Sequence, residues 1–466
     1  MNPEPLHAVR RVPARAVRGA LAGARRVVFL DDDPTGTQTV RDLPVLTRWG
    51  VEDVRWALRQ DTPGFFVLTN TRSLAPGEAA TRDREVVEAC LEAAGREGVR
   101  PVFASRSDST LRGHFPLETD AIGEVVAKHG GTVDAVVLAP AYTDAGRVTI
   151  HGVHWLRAGD GLLPVAESEF ARDATFGYRS SRLADWVAEK SGGRLAAEEV
   201  AELTVEDIRG GTTESLRNRL TGVRGGRVVA LDAAEDDDLR AAVLAVLAAE
   251  DAGMSFVYRI GPSFVRARVG QDAQPPIADE VLAGLVRPGA HGLVVVGSHV
   301  ALTTGQLAEL GRRRRFAAVE LDVPTLLDET RADEHIRDAV AAAAAALENS
   351  LVVLSTSRAL VKGADEAASL HIARRVSAAL TTAAGRVVAA RRPGFVVAKG
   401  GITSSDVATE ALGIRRAWVR GSLLPGIVSL WEPVSGPAAG LPYVVFAGNV
   451  GDESSLADVV GRLEVL

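Results

Sequence analysis

Residues 31–36 read Asp-Asp-Asp-Pro-Thr-Gly and directly follow the apolar run at 26–30. Three adjacent carboxylates at a strand end are costly unless a cation, a guanidinium or a hydroxyl donor lies near. Carboxylates so placed can take a proton from a hydroxyl, bond sugar hydroxyls or hold a divalent ion. The bland alternative is an Asx-type turn with its charges facing water. A second charged turn, Ser-Arg-Ser-Asp-Ser-Thr-Leu-Arg-Gly at 105–113, gathers Arg106, Asp108, Ser109 and Arg112. Guanidinium groups grip carboxylate or phosphate through paired hydrogen bonds, and Ser and Asp bond sugar hydroxyls. Its plain alternative is an internal ion-pair loop. The stretch 139–155 adds Tyr142, Asp144, Arg147, His151 and His154. Two histidines without a carboxylate at helical spacing read as core or surface residues rather than metal ligands.

Three further turns lack charge and are rich in glycine and hydroxyls. At 396–413 an apolar run meets Gly400 and Gly401, then Ile402, Thr403, Ser404 and Ser405, then a helical pattern. Glycines let backbone N–H groups approach an anion, and the following helix points its positive end at it. An ordinary strand-helix turn capped by Ser404 or Ser405 explains the pattern equally. A Gly-Ser turn at Gly297 and Ser298, followed by Thr303, Thr304 and Gln306, forms a second candidate wall. Gly448, Asn449 and Gly451 form a third.

Several motifs are excluded. No G-x-x-x-x-G-K-[ST] occurs, which excludes a P-loop, and no G-x-G-x-x-G opens a helix after a strand, which disfavours a dinucleotide fold. Asp31, Asp33, Thr35, Gly36 and Asp42 mimic a calcium loop, but an EF-hand needs a helix where 26–30 reads as a strand. Asp31-x-Asp33-x-Thr35 resembles the haloacid-dehalogenase phosphatase motif, with Asp31 as nucleophile and Asp33 as acid/base. The residues at 451–458 miss that family's acidic pair, because Asp452 and Asp458 are too far apart.

The elements that must position these turns are legible as Val-rich runs at 26–30, 64–70, 99–105, 133–140, 226–232, 292–298, 316–323, 349–357 and 394–401. Being continuously apolar, they predict strands covered on both faces, and the Ala, Glu and Arg-rich segments between them predict helices. At 466 residues the chain is too long for one ordinary core. The polar, proline-bearing stretch 269–280 divides domains at 1–270 and 280–466. The expected fold class is α/β, two α/β domains with largely parallel sheets and an active-site cleft between them. Ligands sit at the carboxyl ends of such strands. There the first half offers Asp31, Asp32, Asp33, Asn70, Arg106 and Asp108, and the second Ser298, Ser355, Lys399, Gly400 and Gly401. That division assigns a polar substrate to one domain and a phosphate group to the other. A net charge of −7 argues against nucleic acid, and no run approaches a membrane-spanning length. The single Cys90 excludes an intramolecular disulfide and fits a reducing cytoplasm. The Arg- and Ala-rich start reads as a solvated helix or loose tail rather than a signal.

Taken in order, the turns at 31–37, 105–113, 139–149, 261–267, 295–306, 399–413 and 446–451 resemble the four-carbon acid sugar kinase family over nearly the whole chain. The resemblance implies an N-terminal acid-sugar domain, a C-terminal nucleotide-binding domain, ATP with Mg2+, and threonate, erythronate or 3-oxo-tetronate as substrate. Family motifs fall on Asp32, Asp33, Thr35 and Gly36, and on Asp108, Ser109, Thr110, Arg112 and Gly113. In the second half they fall on Gly297 and Ser298, on Gly400, Gly401, Ile402 and Thr403, and on Gly448, Asn449 and Gly451. The chain departs from the family at Pro34, at Arg106 where Lys is usual, at Ile402 where an acidic residue is usual, and at 297–300, which lacks a second Ser. Asp33, with Asp32 beside it, is the expected base, although sequence does not order the two. Arg106, Asp108, Ser109, Arg112 and Arg147 are the expected substrate residues. Two other readings stay open at this point, the phosphatase and a non-catalytic sugar-acid-binding protein.

Overall fold

The computed structural model describes residues 6–159, 161–359, 361 and 363–464. They fall into two compact units that divide between Gln274 and Pro275.

The first unit is built on a parallel sheet of eight strands. In chain order these are β1 (Arg26–Asp31), β2 (Leu43–Leu46), β3 (Gly64–Leu68), β4 (Pro101–Arg106), β5 (Ala135–Ala139), β9 (Ala201–Leu203), β10 (Arg227–Leu231) and β11 (Phe256–Ile260). A separate antiparallel sheet holds β6 (Arg147–Ile150), β7 (Val153–Ala158) and β8 (Gly161–Pro164). The main sheet runs β2-β3-β1-β4-β11-β5-β10-β9, with Asp31 opposite Leu68 on one side and Arg106 on the other. Strands β1, β3 and β4 are buried on both faces, as continuous apolar runs require. Helices Pro76–Glu97 and Leu117–Lys128 seal one face over a core that includes Val28, Phe65, Phe103 and Cys90. In the main sheet β2, β9 and β11 were not among the predicted runs; β2 is only four residues long and β9 three, and Arg259 interrupts the apolar pattern of β11.

The second unit has β12 (Leu293–Val296), β13 (Ala317–Leu321), β14 (Val352–Thr356), β15 (Val396–Lys399), β16 (Arg416–Leu424), β17 (Ile427–Pro433) and β18 (Tyr443–Phe446), in the order β13-β14-β12-β15-β18-β17-β16. The first five of that order are parallel, and β18, β17 and β16 join antiparallel. β12, β15 and β18 are therefore neighbours with the same direction, which brings the three glycine turns to one sheet end.

The N-terminal segment corrects the expectation of a solvated or loose start. Helix Ala14–Ala20 buries Ala14 and Val17, Arg18 donates to the Gly270 carbonyl at 2.7 Å, and the Val12 amide donates to Asp237 at 2.9 Å. The alanine and valine spacing supplies an apolar face that burial stabilises. Residues 1–5 lie outside the described ones. Among the described residues, no helix is long and apolar enough to cross a membrane.

Candidate functional site

β1 lies inside the first sheet between β3 and β4, so its carboxylates receive charge from both neighbours. On one side the turn after β3 is stitched to the β1 backbone. The Thr69 and Asn70 amides donate to the Asp31 carbonyl at 2.9 and 3.1 Å, and the Arg72 amide to that of Asp32 at 3.3 Å. Asn70 takes the left-handed conformation there, with φ 52°, which asparagine tolerates better than most residues. This turn delivers Arg72, which no sequence motif had singled out. Its guanidinium lies 2.6 Å from Asp33, 3.8 Å from Asp32 and 3.8 Å from Asp108. The available signal was its position two residues beyond a strand-end Asn.

On the other side β4 delivers Arg106. Its Nε donates to the Asp31 carboxylate and its Nη2 to the Asp33 carbonyl, while Asp32 lies 3.3 Å away. Arg106 is 2% exposed. Its fork holds the aspartate turn. A Cβ at Gly36 would sit inside the Arg106–Asp31 pair, so this turn admits only glycine without displacing it.

Asp33 caps the 3-10 turn Pro34–Thr39, accepting from the Thr35 amide at 2.8 Å and from its hydroxyl. The three aspartates thereby part company. Burial pushes Asp31 up to about 8, against the pull of Arg106. Burial likewise pushes Asp32 up to about 6, against Arg72 and Arg106. Burial also opposes ionisation of Asp33, but Arg72, Arg106 and the Thr35 bonds more than offset it and hold this carboxyl below its ordinary value. The Asp33 side chain is 21% exposed, against 1% and 2% for its neighbours. Both Asp32 oxygens and one of Asp31 are buried without a hydrogen bond among the described residues.

The loop after β4 completes the cluster. Asp108 accepts from Arg112 at 2.6 Å and from the Thr110 hydroxyl, and despite burial the surrounding arginines hold it well below the usual carboxylate range. Arg112 also reaches Asp173 at 3.4 Å. Ser109, itself buried, accepts from Arg147 at 2.8 Å. Arg112 and Arg147 both lie over the Phe170 ring, at 5.1 and 5.5 Å. Beneath the loop Arg259 from β11 pairs with Glu118 and donates to Ser105 at 2.7 Å. His154 bridges Thr149 and the Ser109 carbonyl, and His151 meets Glu206.

In the second unit the three glycine turns interlock. Thr303 donates to the Ser298 hydroxyl at 3.1 Å and to the Gly448 carbonyl at 3.0 Å. The Gln306 side chain reaches the Val450 and Asp452 carbonyls. These side chains, read as a possible cleft wall, tie the turns to one another. Gly400, at φ 129°, would bring a Cβ 2.9 Å from the Thr403 hydroxyl. Ser404 and Ser405 do not cap the helix. It begins at Gly401, Gly400 is its N-cap, and the Ser404 hydroxyl turns back to the Ala398 carbonyl at 2.8 Å. Ile402 is 57% exposed and Val300 43%, two of the few large apolar side chains open to solvent. Arg358, beyond the end of β14, binds the Ser298 carbonyl at 2.6 Å and the Thr304 hydroxyl at 2.8 Å; no motif pointed to it. Among the described residues no group of three His, Cys, Asp or Glu gathers as for a metal ion.

Comparison with known proteins adds the following. Residues 27–268 match the family model of a sugar-binding N-terminal domain, and residues 293–456 that of a nucleotide-binding C-terminal domain. The chain is 30% identical to the D-threonate kinase of Bordetella bronchiseptica over 397 residues, 84% of each chain. It is 26% identical to the D-threonate kinase of Salmonella typhimurium, over 85% of this chain and 88% of that one. It is 28% identical to the D-erythronate kinase of Heliobacterium modesticaldum, over 66% of each. In fold it is similar to a solved Salmonella typhimurium protein, with TM-score 0.66 at 18% identity over 93% of this chain and 98% of that one. A Haemophilus influenzae protein gives TM-score 0.61 at 17% identity over 94% and 100%.

Proposed function

The chain belongs to the four-carbon acid sugar kinase family, and from that premise we propose that it moves the terminal phosphoryl group of ATP onto a hydroxyl of a four-carbon acid sugar, with Asp33 taking the hydroxyl's proton. The observation that carries the assignment is the divergence of three adjacent aspartates. Only Asp33 is both partly exposed and held in its ionised form. Phosphoryl transfer asks little covalent chemistry of a protein; it asks for alignment and neutralised charge. A base beside the attacking hydroxyl supplies the remaining proton transfer.

Asp32 is the neighbour that bonds the substrate's hydroxyls, for which its unpartnered oxygens are suited. Arg112 and Arg147, both lying over the Phe170 ring, are the reading for the sugar's carboxylate. Asp108 and Ser109 orient them. Arg106 and Arg72 keep the aspartate turn in place. The backbone at Gly400, Gly401, Ile402 and Thr403, with Ser298 and the turn at Gly448, Asn449 and Gly451, is the reading for the nucleotide's phosphates. Mg2+ would arrive with those phosphates, since such ions keep few protein ligands. The proposed setting is the cytoplasm, where ATP is available.

The opposing phosphatase reading needs Asp31 as an exposed nucleophile. Asp31 is 1% exposed, tied to Arg106 and pushed toward its protonated form, which disfavours attack on phosphorus. The test is ADP release from ATP over D-threonate, D-erythronate and 3-oxo four-carbon acids. ADP formation that depends on one of these acids is expected. Release of phosphate from a sugar phosphate without ATP would overturn the kinase reading.

A further inference from the structure

Lys399, the last residue of β15, immediately precedes the Gly400–Gly401 turn. Its row on the strand, Phe395 and Val397, belongs to an apolar core shared with Leu310 and Leu456 of the helices at Ala301–Arg313 and Ser455–Glu464. Lys399 is 0% exposed. Its ammonium donates to the Ala447 carbonyl at 2.6 Å and lies 3.7 Å over the Phe446 ring. Ala447 is the residue before Gly448 and Asn449, so the cation sits under two of the three glycine turns at once.

No carboxylate among the described residues reaches it. From β12 it faces Val296 across the sheet, and from β18 Phe446. The charged groups on the elements around it are committed elsewhere. Asp406 takes the Ser377 hydroxyl, Asp452 takes Ser454 and Ser455, and Glu309 and Asp458 pair with Arg313. Glu453 lies against Gly305, and His299 lies beside Arg358. A buried ammonium with one neutral acceptor and an aromatic face leaves most of its charge uncompensated. A buried group whose ionisation is so perturbed, next to a candidate binding turn, marks a functional site.

We propose that Lys399 is the resident cation of the nucleotide site, its counter-charge being a phosphate group lying on the turns at Gly400–Gly401 and Gly448–Asn449. The inference rests on the kinase reading and goes beyond it, because it couples nucleotide binding to a proton. Burial alone holds the Lys399 amine down to about 7. An anion arriving over the turn favours the ammonium, and the amine takes a proton from solvent to become it. The coupling has a definite sign with pH. Well above pH 7 the free side chain is mostly neutral, so binding takes up nearly one proton per nucleotide. Well below pH 7 it is already charged and uptake vanishes. Nucleotide phosphates lose their last proton near pH 6, so at pH 8 they contribute no compensating change.

The test is titration calorimetry of the full chain with ATP, without acid sugar, in two buffers of different ionisation enthalpy at pH 6 and pH 8. Net uptake approaching one proton at pH 8 is expected, and at pH 6, where the nucleotide's own half-protonated phosphate gives up protons, it should fall to none or turn to release. Lys399→Met should abolish the uptake and weaken binding at pH 6 about tenfold to a hundredfold. Lys399→Arg, permanently charged, should abolish uptake while keeping more of the affinity. ATP binding with no proton uptake, or with uptake unchanged in Lys399→Met, overturns the inference and leaves the kinase reading standing. Failure of the wild-type chain to bind ATP overturns both.

Discussion

Both units end a row of parallel strands in a cluster of turns, yet they fill those turns with opposite materials. The first gathers Asp31, Asp32, Asp33 and Asp108 around Arg72, Arg106, Arg112 and Arg147. The second uses glycine, serine and threonine, with a lone buried lysine beneath. A small, singly charged substrate must be held by individual side chains, because it offers few atoms to grip. A polyanion can be held by backbone N–H groups, which cost no side-chain ordering and no desolvated charge. The contrast implies that losses in the first unit fall on chemistry and acid-sugar affinity, and losses in the second on nucleotide affinity.

The largest effect expected on that contrast comes from Asp33→Asn. It keeps the size, removes the base, and should lower kcat about 100- to 10,000-fold while ATP and the acid sugar still bind. Asp31→Asn should be far milder, since an amide oxygen still accepts from Arg106. Steady-state kinetics on both variants decide it, and equal losses would erase the distinction between the two aspartates.

Next in size is Arg112→Ala. Loss of a charge-assisted contact costs about 1.5–3 kcal/mol, which should raise the acid sugar's KM about tenfold or more and leave that of ATP near its original value. Gly401→Val is its mirror in the second unit and should weaken ATP while sparing the sugar. If either variant moves both constants together, the division of labour between the units fails.

Smaller again are the glycine substitutions read by unfolding. In Gly36→Ala the added methyl meets a buried ion pair that cannot move aside, and overpacking of this kind costs about 1–3 kcal/mol. In Gly448→Ala it meets the Ser298 hydroxyl, the end of a movable side chain, so the cost should be lower. Denaturant midpoints rank the two, and the reverse order would contradict the packing described here.

The subtlest test uses pH. Asp31 and Asp32 carry folded-state values raised to about 8 and about 6 from 3.8. Their contribution to stability is full below about pH 4 and is lost as pH rises through 6 and 8. Lys399 is lowered from 10.5 to about 7. Its penalty is full below pH 7 and is relieved as pH climbs toward 10.5. Hydrogen exchange, corrected for intrinsic rates and resolved by unit between pH 6 and 9, should show the first unit loosening and the second tightening.

Much of this was visible before any fold was known. The runs at 26–30, 292–298 and 394–401 became β1, β12 and β15, because a strand covered on both faces must be apolar throughout. The turns bearing Asp33, Ser298, Gly400 and Gly448 stand out because polar and glycine residues interrupt such runs abruptly. β16 and β17 were not anticipated. Their antiparallel pairing lets polar residues such as Arg420 and Glu432 sit within the strands and face each other at 2.6 Å, and this blurs the apolar signal.

What the sequence by itself determined is the inventory: three adjacent aspartates, an arginine-rich loop and three glycine turns, each tied to a strand end by local patterning. What only the tertiary structure decided is which of these meet and what charge they carry. Arg72 becomes the partner of Asp33 because β3 lies beside β1 and the backbone at 69–72 bonds to that at 31–32. Arg106 meets Asp31 because β4 flanks the other side. Lys399 meets the Ala447 carbonyl, and no carboxylate among the described residues, because the turn after β18 lies against it. A residue's type is local information. Its ionisation depends on burial and on charges within a few ångströms, and those neighbours come from strand order, which residues far apart in the chain establish together.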